Sequence, residues 1–281
     1  MASDSNKLDF TVVDVFTDKR YEGNPLAIVR LPASSKLTQE QKQNIAREFN
    51  LSETTFLHES VGDEPGVWTV DIFTTHEELP FAGHPTIVQL QYDTAKRTAK
   101  AAIPHEVHVH DRVWSRDELL AVQPALAEFV GNDQKIPIVS IVKGMTFVLI
   151  ELESLEALQK VKTTTSITVD ALDQGWDDTF VGTYFYVKTS AVAGVQHVRT
   201  RMIEGSLEDP ATGSAASDLA AYLSLLQGKP GQTLDYVITQ GVEMGRKSEI
   251  YVQVIMGGDK GIETITLGGG AVPVMEGRLL I

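Results

Sequence analysis

The sequence of 281 residues carries a formal net charge of −14 and contains no cysteine. Without cysteine there is no disulfide, thiolate metal site or thiol nucleophile, and the acidic balance argues against nucleic acid or an anionic membrane as partner. Hydrophobic residues make up 42% and charged residues 22%, which fits a globular chain long enough for one large domain or two. Residues 1–7 lack a secretory pattern and no apolar run approaches the about 18 residues of a membrane span, so the cytoplasm is the expected compartment.

Residues 8–16 are β-branched and partly alternating, predicting a strand, and residues 18–24 turn the chain into a buried second strand over residues 25–29. Thr38 with Gln41 forms a capping-box pattern ahead of a helix over residues 39–49, with Ile45, Ala46 and Phe49 at helical spacing. Residues 50–57 lead into a third strand and residues 68–74 form a fourth. A helix carrying Ile87, Val88 and Leu90 is expected after Pro85, where the missing proline N–H costs nothing. Val107, Val109 and Val113 predict short strand material. The charged, proline-containing connection over residues 124–137 is the candidate boundary, giving domains 1–120 and 121–281 with the last strand returning to the first.

The second half repeats the first. Strands over residues 138–142 and 144–152 match the pattern of Gly23 through Leu31, and a helix over residues 154–161 follows. Next come strands over residues 184–188 and 195–202, then a helix over residues 214–223 rich in small residues, which suits a helix enclosed by a curled sheet. Strands over residues 236–239, 249–254, 263–268 and 271–274 close the chain. Each half also contains the same junction: Glu78-Leu79-Pro80-Phe81-Ala82-Gly83-His84 and Glu208-Asp209-Pro210-Ala211-Thr212-Gly213-Ser214 share Glu, a variable residue, Pro, two residues, Gly and a polar residue. Each opens a helix whose bare N–H groups and positive dipole end suit an anion, and two such ends could hold one carboxylate.

These junctions, with Gly23-Asn24-Pro25 and Asn50-Leu51-Ser52-Glu53-Thr54-Thr55-Phe56, resemble the PhzF family of phenazine-biosynthesis-like isomerases, related in fold to diaminopimelate epimerase. The motifs span most of the chain in the family's order. The resemblance implies an α+β fold of two pseudo-symmetric domains, each a curled, mostly antiparallel, barrel-like β-sheet around a central helix, with the active site between them. It also implies a homodimer and no cofactor. By motif matching, Glu53 takes the place of the family's acid/base, with Asp209 and His84 as further catalytic candidates and Ser52, Gly83, Gly213 and Ser214 as substrate-binding ones. The segment Ile203–Leu207 is shorter than the family resemblance leads one to expect, so substrate identity does not transfer with the motif.

The residues alone make a compatible case. Glu53 stands among Leu51, Phe56 and Leu57, and desolvation raises a carboxyl's pKa toward neutrality. Asp209, beside a helix start, equally suits a capping or dipole partner. Related racemases and epimerases use two cysteines, which this chain lacks, leaving one-sided proton shuttling by Glu53. The expected function is cofactor-independent isomerisation of a small carboxylate-bearing molecule. A non-catalytic carboxylate-binding protein, or a hydrolase or lyase using Glu53 as general base, are the alternatives. His108 and His110 share one side of a strand but lack a third ligand at known spacing, so a solvated strand face is expected and no metal. Gly268-Gly269-Gly270, with no lysine or following helix, reads as a bulge or sharp turn before the last strand.

Overall fold

A computed structural model of the protein describes residues 7–59, 69–79, 92–93, 98–177, 179–259 and 261–281. The described chain forms two compact units, Met1–Ala99 with Gly269–Ile281, and Lys100–Gly268.

In the first unit, β1 (Lys7–Val15) and β2 (Asn24–Leu31) form an antiparallel pair with Val12 opposite Ala27. Gly23 makes this turn possible: its φ is +70° and a Cβ there would lie 2.3 Å from the Val15 carbonyl oxygen. The helix α1 (Gln39–Phe49) begins at Thr38 with the expected reciprocal capping box to Gln41 and ends at Asn50 in the left-handed conformation. The chain then enters β3 (Glu53–His58), parallel to β2 with Glu53 opposite Leu26. Two antiparallel strands follow, β4 (Val70–Phe73) and β5 (Glu78–Leu79). Leu8, Val29, Leu31, Ala46, Phe56 and Phe73 form the core of this unit, with Phe10 packed edge-on against Phe49 at 5.1 Å. Beyond the following undescribed stretch, β6 (Tyr92–Asp93) pairs with β7 (Thr98–Ala102).

The second unit opens with β8 (His108–Trp114) and α2 (Arg116–Val122), the latter capped by Ser115 and Glu118. Residues 124–137 lie within this unit, where Leu126, Val130 and Ile136 are core residues. The order of the first unit then recurs. An antiparallel pair, β9 (Ile136–Val142) and β10 (Met145–Glu151), leads to α3 (Leu155–Lys160) and to β11 (Phe180–Val192), parallel to β10. Antiparallel β12 (Val195–Glu204) and β13 (Leu207–Asp209) follow. Glu78 pairs with Phe73 and Glu208 with Ile203, so both junction glutamates sit in the last short strand of their half.

The helix α4 (Gly213–Gln227) then packs against β9 and β10 near one end of the sheet and against β14 (Thr233–Gln240) and β15 (Ser248–Met256) near the other. A sheet that reaches one helix from both ends is curled around it. Gly213, Ala215, Ala216, Ser217, Ala220, Ala221 and Ser224 are all buried, and their small size admits this close enclosure.

The last strand corrects the reading of the glycine run. A single strand, β16 (Ile262–Leu280), passes through Gly268-Gly269-Gly270 without turning. Its first part pairs with β15 in the second unit and its last part with β1 in the first. Gly269 is needed for close approach, because a Cβ would lie 2.3 Å from the ring of Phe16, whose N–H donates to the Gly270 carbonyl at 2.7 Å. The irregularities in β16 lie on either side of the run, where the register with β15 shifts between Ile255 and Met256 and the register with β1 shifts between Val12 and Val13.

Candidate active site

Glu53 is placed by the exit from α1. Asn50 ends the helix, Ser52 turns its hydroxyl to Asn24 Oδ1 at 3.1 Å, and Glu53 opens β3. Thr54, Thr55 and Phe56 beyond it are fully buried. The Glu53 residue keeps partial exposure along its stem, whereas its carboxyl Oε2 is shut off from solvent. That desolvation pushes the pKa up to about 7, against a smaller lowering by the Ser52 hydroxyl. The carboxyl therefore changes protonation state in the range where an acid/base works best at neutral pH. This agrees with the desolvation expected from its apolar neighbours.

Asp209 is placed by a different device. The segment between β12 and β13 is a tight turn at Gly205-Ser206, which sets Asp209 opposite Met202 at the end of a hairpin. Arg201, almost fully buried, donates to both Glu208 carboxylate oxygens at 2.7 Å and to the carbonyls of Leu158 and Val161. This clamps the strand that delivers Asp209. The Asp209 carboxylate accepts from the Thr212 hydroxyl at 2.6 Å and the Ala211 N–H at 3.4 Å. Gln240, fully buried, donates to the Asp209 carbonyl at 2.8 Å and to Thr212 Oγ1 at 3.0 Å. Its own oxygen accepts from Thr212 N–H at 3.3 Å and from the Tyr184 hydroxyl at 3.0 Å.

Because Thr212 gives its hydroxyl to Asp209, the start of α4 has no side-chain cap. The first intrahelical bond is Ala216 N–H to Thr212 carbonyl, so the N–H groups of Gly213, Ser214 and Ala215 are left over by helix geometry. Gly213 and Ala215 are buried there. Bare N–H groups and the positive dipole end at a helix start favour negative charge in general.

Ser52 and Glu53 thus lie together in the first unit, and Asp209, Gly213 and Ser214 together in the second. Gly83 and His84 lie outside the described residues. Arg201, Gln240 and Tyr184 were missed by sequence reasoning. A charged Arg inside a strand carries no local signal, and the Gln240 network joins residues up to 56 positions apart. The expectation of a solvated face for His108 and His110 is corrected: His110 is 3% exposed and its Nε2 meets the Ser140 hydroxyl at 2.9 Å. Among the described residues, no helix is long and apolar enough to cross a membrane.

Comparison with known proteins places this arrangement. The family model described as phenazine biosynthesis-like protein matches residues 13–109 and 90–277. The trans-2,3-dihydro-3-hydroxyanthranilate isomerase of Pseudomonas aeruginosa is 31% identical over 292 residues, covering 96% of this chain and 98% of its own. In structure, a Bacillus anthracis phenazine biosynthesis protein of the PhzF family superposes with a TM-score of 0.70 at 21% identity, covering 98% of this chain and 99% of its own. A hydroxyproline epimerase from Agrobacterium vitis shares the fold with a TM-score of 0.58 at 9% identity, over 99% of this chain and 93% of its own. The two-unit α+β fold is that of the diaminopimelate epimerase group, and the chain belongs to the phenazine biosynthesis-like (PhzF) family of isomerases.

Proposed function

We propose that the protein moves a proton within a small carboxylate-bearing substrate, with Glu53 as the single general acid/base. The helix starts at Gly213–Ser214 and Gly83–His84 bind the substrate carboxylate, while Asp209 and His84 orient the ligand. Glu53 takes a proton from one position of an activated system and returns it to another, so substrate and product share one formula. Ser52 holds the acid in place. The reaction needs no cofactor, and the reading includes a cytoplasmic homodimer, as the family resemblance implies. The observation that carries this reading is the desolvated Glu53 carboxyl with its pKa near 7.

The test is incubation of the protein in heavy water with a panel of small unsaturated carboxylates. Trans-2,3-dihydro-3-hydroxyanthranilate belongs in that panel because a relative is named for it. The expected product has the substrate's formula and carries deuterium on the carbon that receives the proton. Loss or gain of water in the product would make the protein a lyase or hydrolase, and binding without exchange would make it a carboxylate-binding protein.

A further inference from the structure

Strand β8 holds a second group of donor atoms with no part in the chemistry above. Alternation along the strand sends His108 and His110 to one face, where their rings meet edge to face with centroids 4.7 Å apart. A third donor arrives from the irregular segment between α3 and β11. The Asp173 carboxylate oxygen Oδ2 lies 2.6 Å from His108 Nε2 and 3.7 Å from His110 Nδ1. One donor atom from each residue lies within 4.8 Å of the other two. We propose that His108, His110 and Asp173 form a binding site for a divalent transition ion of borderline softness, Zn²⁺ or Co²⁺, with water completing the coordination.

The donor set and spacing fit such an ion. Two imidazoles and a carboxylate are the ligands of open three-residue zinc sites, and tetrahedral donors about 2.0–2.1 Å from zinc stand about 3.3 Å apart. The 3.7 Å separation already matches, and the 2.6 Å one needs to widen by less than about 1 Å.

The surroundings hold both rings in the orientation a ligand requires. His110 Nδ1 accepts a long bond from the Asp173 N–H at 3.4 Å, so Nε2 carries the proton and donates to Ser140 Oγ at 2.9 Å. That tautomer leaves Nδ1 as an acceptor, and an ion bound there takes the place of the long Asp173 N–H contact. Ser140 is itself fixed by Thr146 at 2.6 Å, a supporting hydrogen bond of the kind that aims metal-binding histidines. The His108 ring is stacked on Trp176, 4.6 Å away and 11° from parallel. Asp177 adds negative charge near His110, while Lys143 sits 5.5 Å from the centre of the Trp176 ring. β8 is the edge of its sheet, so a bound ion would fasten the segment carrying Asp173 and Trp176 to that edge.

The full chain, freed of metal by a chelator, is titrated with Zn²⁺ and separately with Co²⁺. One equivalent per chain is expected, with affinity falling at least about tenfold in Asp173→Asn and in His108→Gln and unchanged when the exposed His76 becomes Ala. X-ray absorption of the zinc-loaded wild type should show two imidazoles plus oxygen ligands at about 2.0–2.1 Å. The proposal is overturned if the wild type takes up no stoichiometric ion, or if folded Asp173→Asn binds as the wild type does. Fewer than two imidazoles in the wild-type spectrum overturns it whether or not the variants fold.

Discussion

The two halves of the molecule duplicate a scaffold and divide its chemistry. In the first, Glu53 stands opposite Leu26 at the start of a parallel strand pair; in the second, the same register pairs Phe147 with Gly182. A Cβ on Gly182 would meet the Phe147 ring at 3.2 Å and Met202 at 3.3 Å, so a side chain there requires both neighbours to shift. The junctions differ in the opposite sense. After the paired glutamates, the first half carries Leu79 and the second Asp209. Glu53 is a desolvated carboxyl that exchanges its proton near neutrality, whereas Asp209 is pinned by Thr212 and Ala211. A proton carrier must be able to change charge; an orienting group must stay put. The repeat therefore predicts one acid/base rather than a matched pair.

The largest test of this division is Glu53→Gln, which keeps shape but removes the transferable proton. Activity on a turned-over substrate should fall about 10²–10⁴-fold, with deuterium no longer delivered from heavy water. Asp209→Asn should lose less in kcat, because the amide still accepts from Thr212. Equal losses would make Asp209 a second proton carrier and erase the asymmetry.

The rigidity of the second half is tested at Gln240. Gln240→Leu removes the amide that meets the Asp209 carbonyl, the Thr212 N–H and the Tyr184 hydroxyl, and the lost hydrogen bonds should together cost about 3 kcal/mol in denaturant unfolding. A cost below about 0.5 kcal/mol would show that Asp209 is not held by this network.

The smallest effect sharpens the electrostatics of the first half. The folded Glu53 pKa of about 7 exceeds the ordinary carboxyl value of 4.5, so the folded state binds this proton more tightly than the unfolded state. Its stability contribution is full below pH 4.5 and is lost as pH rises through 7. Relative to wild type, Glu53→Gln should therefore gain up to about 3 kcal/mol between pH 4.5 and 8. A pH-independent difference between the two proteins would show that the carboxyl is solvated.

Much of the scaffold was legible because its signals are local. Thr38 and Gln41 close a capping box four residues long, and Ser154 caps α3 where the pattern placed it. The same grammar was present and unread at Ser115 and Glu118, which start α2 just ahead of the proline-containing connection. The glycine run misled because intrinsic preference reads three glycines as a break, whereas the bulk of Phe16 demands the missing side chain at Gly269. At the site, Glu53 stood out only through the resemblance of its motif, since a lone Glu at a helix-to-strand turn reads by itself as a solvated surface group. Arg201, Gln240 and Asp173 did not, since each meets partners that only the folded chain brings near.

The passage of β16 between units sets an order of events during synthesis. Lys7 pairs with Leu280, so the amino-terminal unit lacks one of its strands until the carboxy-terminal residues emerge from the ribosome. The second unit, continuous from Lys100 to Gly268, has its whole sequence available earlier. Domains ordinarily fold in the order in which they are made. Here the segment made first is completed late, because β1 lacks its β16 neighbour until residues 271–280 have been made.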